Sequence, residues 1–237
     1  MITNVAIPTP ADSTLHAVIT GDVVASSDLT AEERGRLPDL LRAAHRAVQE
    51  RLQANVLYPI DLFGGDSWQM YLPRPEQALA VATHFRAGLL ADTGITTRLA
   101  LAVDTIDFLN TENLSESDGA VFRRSGRTLR ELRHDETAII LPESDEPVAQ
   151  IAADLIARTV NFLARSWTRA QAQAIVHSTG GVLAGESLSQ SRIGEAWTPK
   201  PISQQAVARH LQSAGWDILE ATLRDFTRVI NSIIVAT

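Results

Sequence analysis

The sequence predicts an α+β protein in which a ferredoxin-like domain is followed by an all-α winged helix-turn-helix domain. Strand-like and helix-like patterns first follow one another in the order β-α-β-β-α-β, which is the ferredoxin-like arrangement. Gly64 and Gly65 separate the two middle strand-like runs, and a glycine pair between such runs is typical of a hairpin. The last third of the chain has helical patterns only. These observations divide the chain into domains at 14–145 and 146–237.

The elements of the first domain follow from hydrophobic periodicity. Residues 15–20 predict a strand that ends at the pair Gly21-Asp22. Thr30 and Glu33 have the spacing of a capping box, which predicts a helix from there to about residue 53. The further predicted elements are strands at 56–63 and 67–72, a helix at 75–92, a strand at 96–103, a helix at 121–133 and a strand at 137–141.

Composition and charge narrow the class of protein. The 237 residues include no Cys, which excludes disulfides and thiolate chemistry. Residues 1–13 lack periodicity and predict a flexible leader without the features of a signal peptide. No apolar run reaches the roughly 20 residues that span a bilayer, so we expect a cytoplasmic protein without a membrane partner. The formal net charge of −7 argues against indiscriminate coating of nucleic acid.

Two aspartates stand at points that a ferredoxin-like sheet brings together. Asp22 ends the first predicted strand, and Asp66 lies in the predicted hairpin turn. Because the first strand and the hairpin are neighbours in such a sheet, we expect the two carboxylates to converge. Paired carboxylates suit a hard cation such as Mg²⁺ or Mn²⁺ together with substrate phosphates. The open alternatives are that Asp66 is only a turn residue and that Asp22 only caps a helix entry.

Three short motifs resemble those of known families. The run from Phe63 to Pro73, with Gly-Gly-Asp at its turn, resembles the hairpin of GGDEF diguanylate cyclases and of class III nucleotide cyclases. Residues 119–127 resemble the class III helix that carries an Asn and an Arg for the transition state. The strand end Gly-Asp, the hairpin Gly-Asp-x-x-Gln and the helix Asp-Gly-x-x-Phe-x-x-Ser-x-Arg together are similar to the SatD family. That family joins a cyclase-like palm domain to a C-terminal helix-turn-helix.

The resemblance implies a nucleotide site and a homodimer, since cyclases build their sites at a dimer interface. It assigns nucleotide binding to Gly64, Gly65, Arg123 and Arg127, and the metal to the two aspartates. Two departures affect the implied activity. Ser67 stands where GGDEF enzymes have a Glu, and Arg123 stands where class III cyclases have the Asn. These departures favour a nucleotide sensor over an active enzyme.

The C-terminal domain is predicted to carry the DNA contact. The acidic segment 142–147 predicts a linker. The helices predicted after it are at 148–166, 168–177 and 188–197. Gly180-Gly181 is expected to end the second of these helices, and a turn is predicted at 198–201. A helix then begins at the N-cap Ser203, with Val207, Leu211 and Ala214 on its inward face. The residues assigned to DNA are Ser203, Gln204, Gln205 and Arg209, because Gln and Arg pair with base edges and phosphates.

The motifs therefore predict a nucleotide-sensing or metal-nucleotide-sensing regulator with a DNA-binding helix-turn-helix. Two alternatives remain open from the sequence. One is an active nucleotidyl or nucleotide cyclase, in which the C-terminal module positions a partner or an oligomer. The other is an interaction protein without catalytic activity, in which the last helices serve packing or dimerisation.

Overall fold

A computed structural model of the protein describes residues 15–52, 58–134, 136–144 and 147–236. The predicted leader at 1–13 and part of the predicted linker lie outside the described residues. Among the residues that are described, no helix combines the length and apolar character needed to cross a membrane.

The described residues form a five-stranded sheet in the order β2-β3-β1-β4-β5. The strands are β1 (His16–Val23), β2 (Asp61–Phe63), β3 (Ser67–Leu72), β4 (Thr97–Asp104) and β5 (Thr137–Ile140). The first four pair antiparallel in the ferredoxin-like order, and β5 adds a parallel strand beside β4. The predicted α+β class and the predicted hairpin are confirmed.

Eight α-helices surround this sheet in the described part of the chain. They are α1 (Ala31–Gln49), α2 (Ala78–Thr93), α3 (Ala120–Glu131), α4 (Val148–Ala164), α5 (Arg169–Ala184), α6 (Gln190–Glu195), α7 (Gln204–Ala214) and α8 (Trp216–Ala236). The predicted capping box of α1 is present, with Thr30 accepting from the Glu33 backbone N–H and the Glu33 carboxylate accepting from Thr30.

The two faces of the sheet are covered differently. Alternate residues of β1, β3 and β4 form the main apolar cluster with α1 and α2, and α3 covers part of the opposite face. Helix α2 is buried along most of its length because α5 of the C-terminal region lies against it. One cluster of buried apolar side chains therefore includes residues from both predicted domains. The division of the chain near residue 145 stays a prediction.

Two sequence predictions are wrong at glycines. Strand β1 does not end at Gly21 but runs to Val23, because β3 and β4 hold its backbone from both sides. Helix α5 does not end near residue 177 but runs through Gly180-Gly181 to Ala184. A Cβ at Gly181 would lie 2.8 Å from the Glu186 carbonyl oxygen, so this glycine permits close packing within a continuing helix.

The predicted wing is not confirmed. A wing is a β-hairpin that follows the recognition helix, and residues 147–236 contain no strand. Gly215 ends α7 with a φ of 73°, and the long helix α8 begins at the next residue. The apolar side of α8 packs against α4 and is part of the main core. The residues that would form a wing after α7 are therefore helical.

Candidate ligand-binding cleft

One face of the sheet becomes polar toward the end of β1. Asp22 lies opposite Ser67 of β3 and Arg98 of β4, so three polar residues form one row across the sheet. Two residues earlier, Thr20 lies opposite Gln69 of β3, and this row shares the same face because the side chains of a strand alternate. The next row is apolar and packs under α3. This face of the sheet is therefore apolar under α3 and charged at the edge that carries Asp22.

A cleft of about 440 Å³ opens between this polar face and α3. We call it the α3 cleft, and its lining includes Thr20, Asp22, Ser67, Gln69, Arg98, Asp118, Arg123, Gly126 and Arg130. Its volume lies in the range of pockets that hold small-molecule ligands. The cleft therefore joins hydrogen-bonding groups on the sheet to guanidinium groups at its rim.

The floor of the cleft is a fixed hydrogen-bond network. The Gln69 side-chain amide donates to the Thr20 hydroxyl at 2.9 Å, and the Thr20 and Ser125 hydroxyls are 2.9 Å apart. Ser125 is fully buried on α3, so this contact joins the helix to the sheet beneath it. A network whose members have partners holds its side chains in one arrangement. Gln69 is consequently fixed where it meets the open space of the cleft.

Asp22 is joined to Arg98 by two parallel hydrogen bonds. Arg98 Nε lies 2.7 Å from Asp22 Oδ1, and Arg98 Nη2 lies 2.8 Å from Asp22 Oδ2. The side chains are only 17% (Asp22) and 30% (Arg98) exposed, so water screens this pair less than a surface ion pair. The hydrogen bonds from Asp22, with the nearby charge of Asp66, raise the pKa of Arg98 above its ordinary value. Arg98 is therefore a permanent cation of the site.

Asp66 lies beside Asp22 at the same edge of the sheet. The backbone N–H of Val23 donates to the Asp66 carbonyl oxygen at 3.2 Å, and the Ser26 hydroxyl donates to the Asp66 carboxylate. Asp22, Asp66 and Arg98 also line a second cavity of about 410 Å³, which we call the Asp66 cavity. The structure thus brings the two predicted aspartates together around one space.

Gly64 and Gly65 occupy the hairpin turn and are exposed. Their φ angles are 65° and 94°, in the left-handed region that glycine adopts without strain. Neither residue is in the lining of the α3 cleft or of the Asp66 cavity. The backbone of the turn by itself accounts for both glycines, and their contact with a nucleotide stays a prediction.

The predicted arginines of α3 lie on one side of the helix but not all in the cleft. Arg123 lines the α3 cleft and is paired with Asp118 at 2.5 Å and with Asp107 at 3.3 Å. The pKa of Asp118 is held below its usual range, mainly by the hydrogen bond from the Gly119 backbone N–H and to a smaller extent by the hydrogen bond from Arg123. Arg127 is exposed and is not in the cleft lining, so its role stays a prediction.

The sequence assigns no site role to Arg98 or Gln69, whereas Arg130 belongs to the cluster of α3 arginines that the sequence offers either as phosphate contacts or as a solvated face. Arg130 lines the cleft and makes no ion pair among the described residues. Its spacing of seven from Arg123 puts both on one helix face, a signal that was available from the sequence. Arg98 is identified only by the pairing of β1 with β4, which joins positions 76 residues apart.

The side chains at this edge offer few free oxygen ligands to the predicted Mg²⁺ or Mn²⁺. Within the described residues, no group of three His, Asp or Glu side chains could hold a metal ion. Of the two aspartates, Asp22 already gives both oxygens to Arg98, and Asp66 accepts from Ser26. As arranged here, this edge of the sheet does not fit a divalent cation.

The α7 segment has the geometry that the sequence predicts. The Ser203 hydroxyl accepts from the Ala206 backbone N–H at 3.2 Å, which confirms the N-cap. The inward residues are buried against α5 and α6, whereas Gln204, Gln205 and Arg209 are exposed. Trp197, which follows α6, stacks on His210 of α7 with ring centroids 5.4 Å apart. An exposed polar face on a docked helix is thus present, and its contact with DNA stays a prediction.

Comparison with known proteins gives structural similarity alone. No family model and no curated relative matches the chain. It is similar to an adenylate cyclase from Trypanosoma brucei, with 13% identity over 57% of this chain and 76% of that chain and a TM-score of 0.42. It is also similar to the adenylyl cyclase CyaB from P. aeruginosa, with 15% identity over 54% of this chain and 77% of that chain and a TM-score of 0.39.

A third similar structure is the guanylyl cyclase Cya2, with 12% identity over 55% of this chain and 77% of that chain and a TM-score of 0.41. Similarities at these identities and TM-scores do not establish an activity. Membership of the SatD family likewise stays a prediction.

Proposed function

We propose that the protein binds a nucleotide in the α3 cleft and acts as a SatD-like regulator whose α7 helix contacts DNA. The observation that carries the proposal is the pairing of a hydrogen-bonding floor with a rim of guanidinium groups in one cleft. A nucleotide needs both, because its base presents donors and acceptors and its phosphates present negative oxygens.

The rim arginines supply the phosphate contacts. The guanidinium group presents a planar fork of donors that matches two phosphate oxygens at once. Arg130 is free to make such a contact without first breaking an ion pair, since the described residues provide it with none. Arg98 contributes its fixed positive charge at the sheet edge. These groups favour a triphosphate over a neutral nucleoside.

Gln69 and Ser67 supply hydrogen bonds from the sheet. One Nε2 hydrogen of Gln69 is used by Thr20, and the amide oxygen accepts no hydrogen bond from the described residues. That oxygen and the second amide hydrogen form a donor–acceptor pair suited to a base edge or a ribose hydroxyl. A fixed amide discriminates between ligands because a mismatch leaves its polar atoms unpaired.

Nucleotide cyclisation is the second candidate function. It is favoured by the position of Asp22 and Asp66 at neighbouring chain segments beside the cleft. The ion pair of Asp22 with Arg98 favours sensing over catalysis, because the Asp22 carboxylate is then not available to bind a catalytic metal. A homodimer is part of both candidates, and in the cyclase it would complete the site.

One experiment separates these functions. The purified chain is incubated with each ribonucleoside triphosphate, with Mg²⁺, with Mn²⁺ and with chelator, and both thermal stability and product are measured. A sensor gives a rise in melting temperature without product, whereas a cyclase gives product that is lost in Asp66→Asn. The Arg130→Ala variant serves as the cleft control and should lose the thermal shift. No shift and no product with any triphosphate would contradict both functions.

A further inference from the structure

Arg98 is held from three directions at the edge of the sheet. Asp22 accepts two of its hydrogen bonds, and the Leu132 carbonyl oxygen accepts a third from Nη1 at 2.5 Å. Leu132 is the C-cap of α3, where the helix dipole places partial negative charge. Asp66 adds a second full negative charge nearby. The surroundings of this guanidinium are those of a cation site.

The oxygen atoms that surround Arg98 are of the kind that a divalent cation binds, but Arg98 already occupies them. Two carboxylates and a backbone carbonyl oxygen are hard donors of the kind that Mg²⁺ and Mn²⁺ take. A metal bound to Asp22 would lie within a few ångströms of the guanidinium, and the two positive charges would repel each other at this partly buried edge. The position is therefore filled by a side chain of the protein itself.

We propose that Arg98 is the resident cation of the Asp22–Asp66 edge and that the site binds phosphate without a divalent metal. The binding of a nucleotide phosphate rests on the proposed function, whereas the exclusion of metal depends only on the contacts of Arg98 within the protein. Arg98 borders both the α3 cleft and the Asp66 cavity, so its unused N–H groups can face an anion in either space. Arg130 adds the second positive charge from across the cleft.

Metal binding to the nucleotide-free protein tests the exclusion directly. Mn²⁺ is titrated into the full chain and free ion is followed by electron paramagnetic resonance. We expect no Asp22-dependent binding in the wild type and a new site in Arg98→Ala that is lost in the double variant Arg98→Ala/Asp22→Asn. The conservative variant Arg98→Lys keeps a cation in place and should stay without the new site. Circular dichroism checks that each variant is folded.

Two results of this titration would overturn the proposal. One is Mn²⁺ binding to wild type that Asp22→Asn abolishes, because the metal would then coexist with Arg98. The other is a folded Arg98→Ala that gains no Mn²⁺ site. If Arg98→Ala does not fold, Arg98→Met replaces it, and the wild-type titration still decides whether metal binds beside Arg98.

Calorimetry with a nucleotide tests the second half of the proposal. The triphosphate that gives the largest thermal shift is titrated into wild type with excess chelator and then with excess Mg²⁺. We expect affinities within about threefold of each other, and a dependence on Mg²⁺ of tenfold or more in Arg98→Ala. A wild type that binds only with Mg²⁺ overturns metal-free binding. Absence of nucleotide binding in every condition contradicts the proposed function. The exclusion of metal is then decided by the Mn²⁺ titration alone.

Discussion

The indole ring of Trp68 lies against the α-carbon of Gly21. A Cβ at Gly21 would fall 2.3 Å from Trp68 Cζ2 and 2.8 Å from the Arg98 carbonyl oxygen. The same indole donates to Thr97 Oγ1 at 3.2 Å, and that hydroxyl donates to the Asp22 carbonyl oxygen at 2.5 Å. The contact between Gly21 and Trp68 therefore fixes the strand segment that carries Asp22.

Replacing Gly21 with Ala should destabilise the protein. The added methyl group must displace a fully buried Trp, and overpacking of this kind costs about 1–3 kcal/mol. Gly35→Ala is the matched control, because Gly35 is exposed in α1 and a Cβ there meets nothing within 4 Å. That change should be neutral or stabilise by about 0.5–1 kcal/mol. Urea unfolding measures both, and equal stabilities of the two variants would disprove the close contact.

His84 should make the protein less stable in mild acid. Burial, with the positive charge of Arg51 and the neighbouring His177, lowers the pKa of His84 from 6.5 to about 4. Between these values the unfolded chain takes up a proton that the folded chain excludes, so stability is lost as pH falls from about 6.5 toward 4. The contribution of this group is on the order of 3 kcal/mol.

The variant His84→Gln isolates this effect. Its amide can keep the hydrogen bond that joins His84 of α2 to Thr179 of α5 at 2.9 Å, but it does not titrate. The free energy of unfolding should then fall less between pH 7 and pH 4 than in wild type. The variant should still lose some stability in acid because of His45, whose pKa burial also lowers to about 4. Parallel pH profiles for wild type and variant would show that His84 is not the group responsible.

Arg209→Ala tests the exposed face of α7. Genomic fragments are first selected at low salt, and the affinity of the best fragment is then measured against salt by fluorescence anisotropy. Loss of one phosphate contact should weaken binding and reduce the slope of log affinity against log salt by about 1. Arg158→Ala removes an exposed arginine from α4 and is the control. Equal enrichment of fragments by the wild type and by Arg209→Ala would count against DNA binding through α7.

Sequence reasoning succeeded where the signal is local. The capping box at Thr30 depends on residues three apart, and the glycines of the hairpin depend on the turn alone. The two faces of α7 follow from helical spacing, so its buried and exposed residues were predicted correctly. Each of these features is decided within a few residues of the chain.

The features that it missed depend on distant partners. Arg98 belongs to the site only because β4 pairs with β1, which brings together two residues that are 76 positions apart in the chain. The low helix propensity of glycine predicts a helix end at Gly181, but tertiary packing keeps α5 continuous through this residue. No local pattern after α7 predicts the β-hairpin of the winged form, and the apolar side of α8 packs against α4.

The affinity of the nucleotide for the α3 cleft is the most direct test of the proposed function. Isothermal titration calorimetry compares wild type, Arg130→Ala, Arg127→Ala and the remote control Arg158→Ala. Loss of a charge-assisted hydrogen bond to phosphate should cost Arg130→Ala about 1–3 kcal/mol, roughly 5- to 150-fold in Kd, and leave Arg158→Ala unchanged. A loss in Arg127→Ala would support the assignment made from the sequence. Wild type and Arg130→Ala with equal affinity, or no heat of binding with any triphosphate, would contradict nucleotide binding in this cleft.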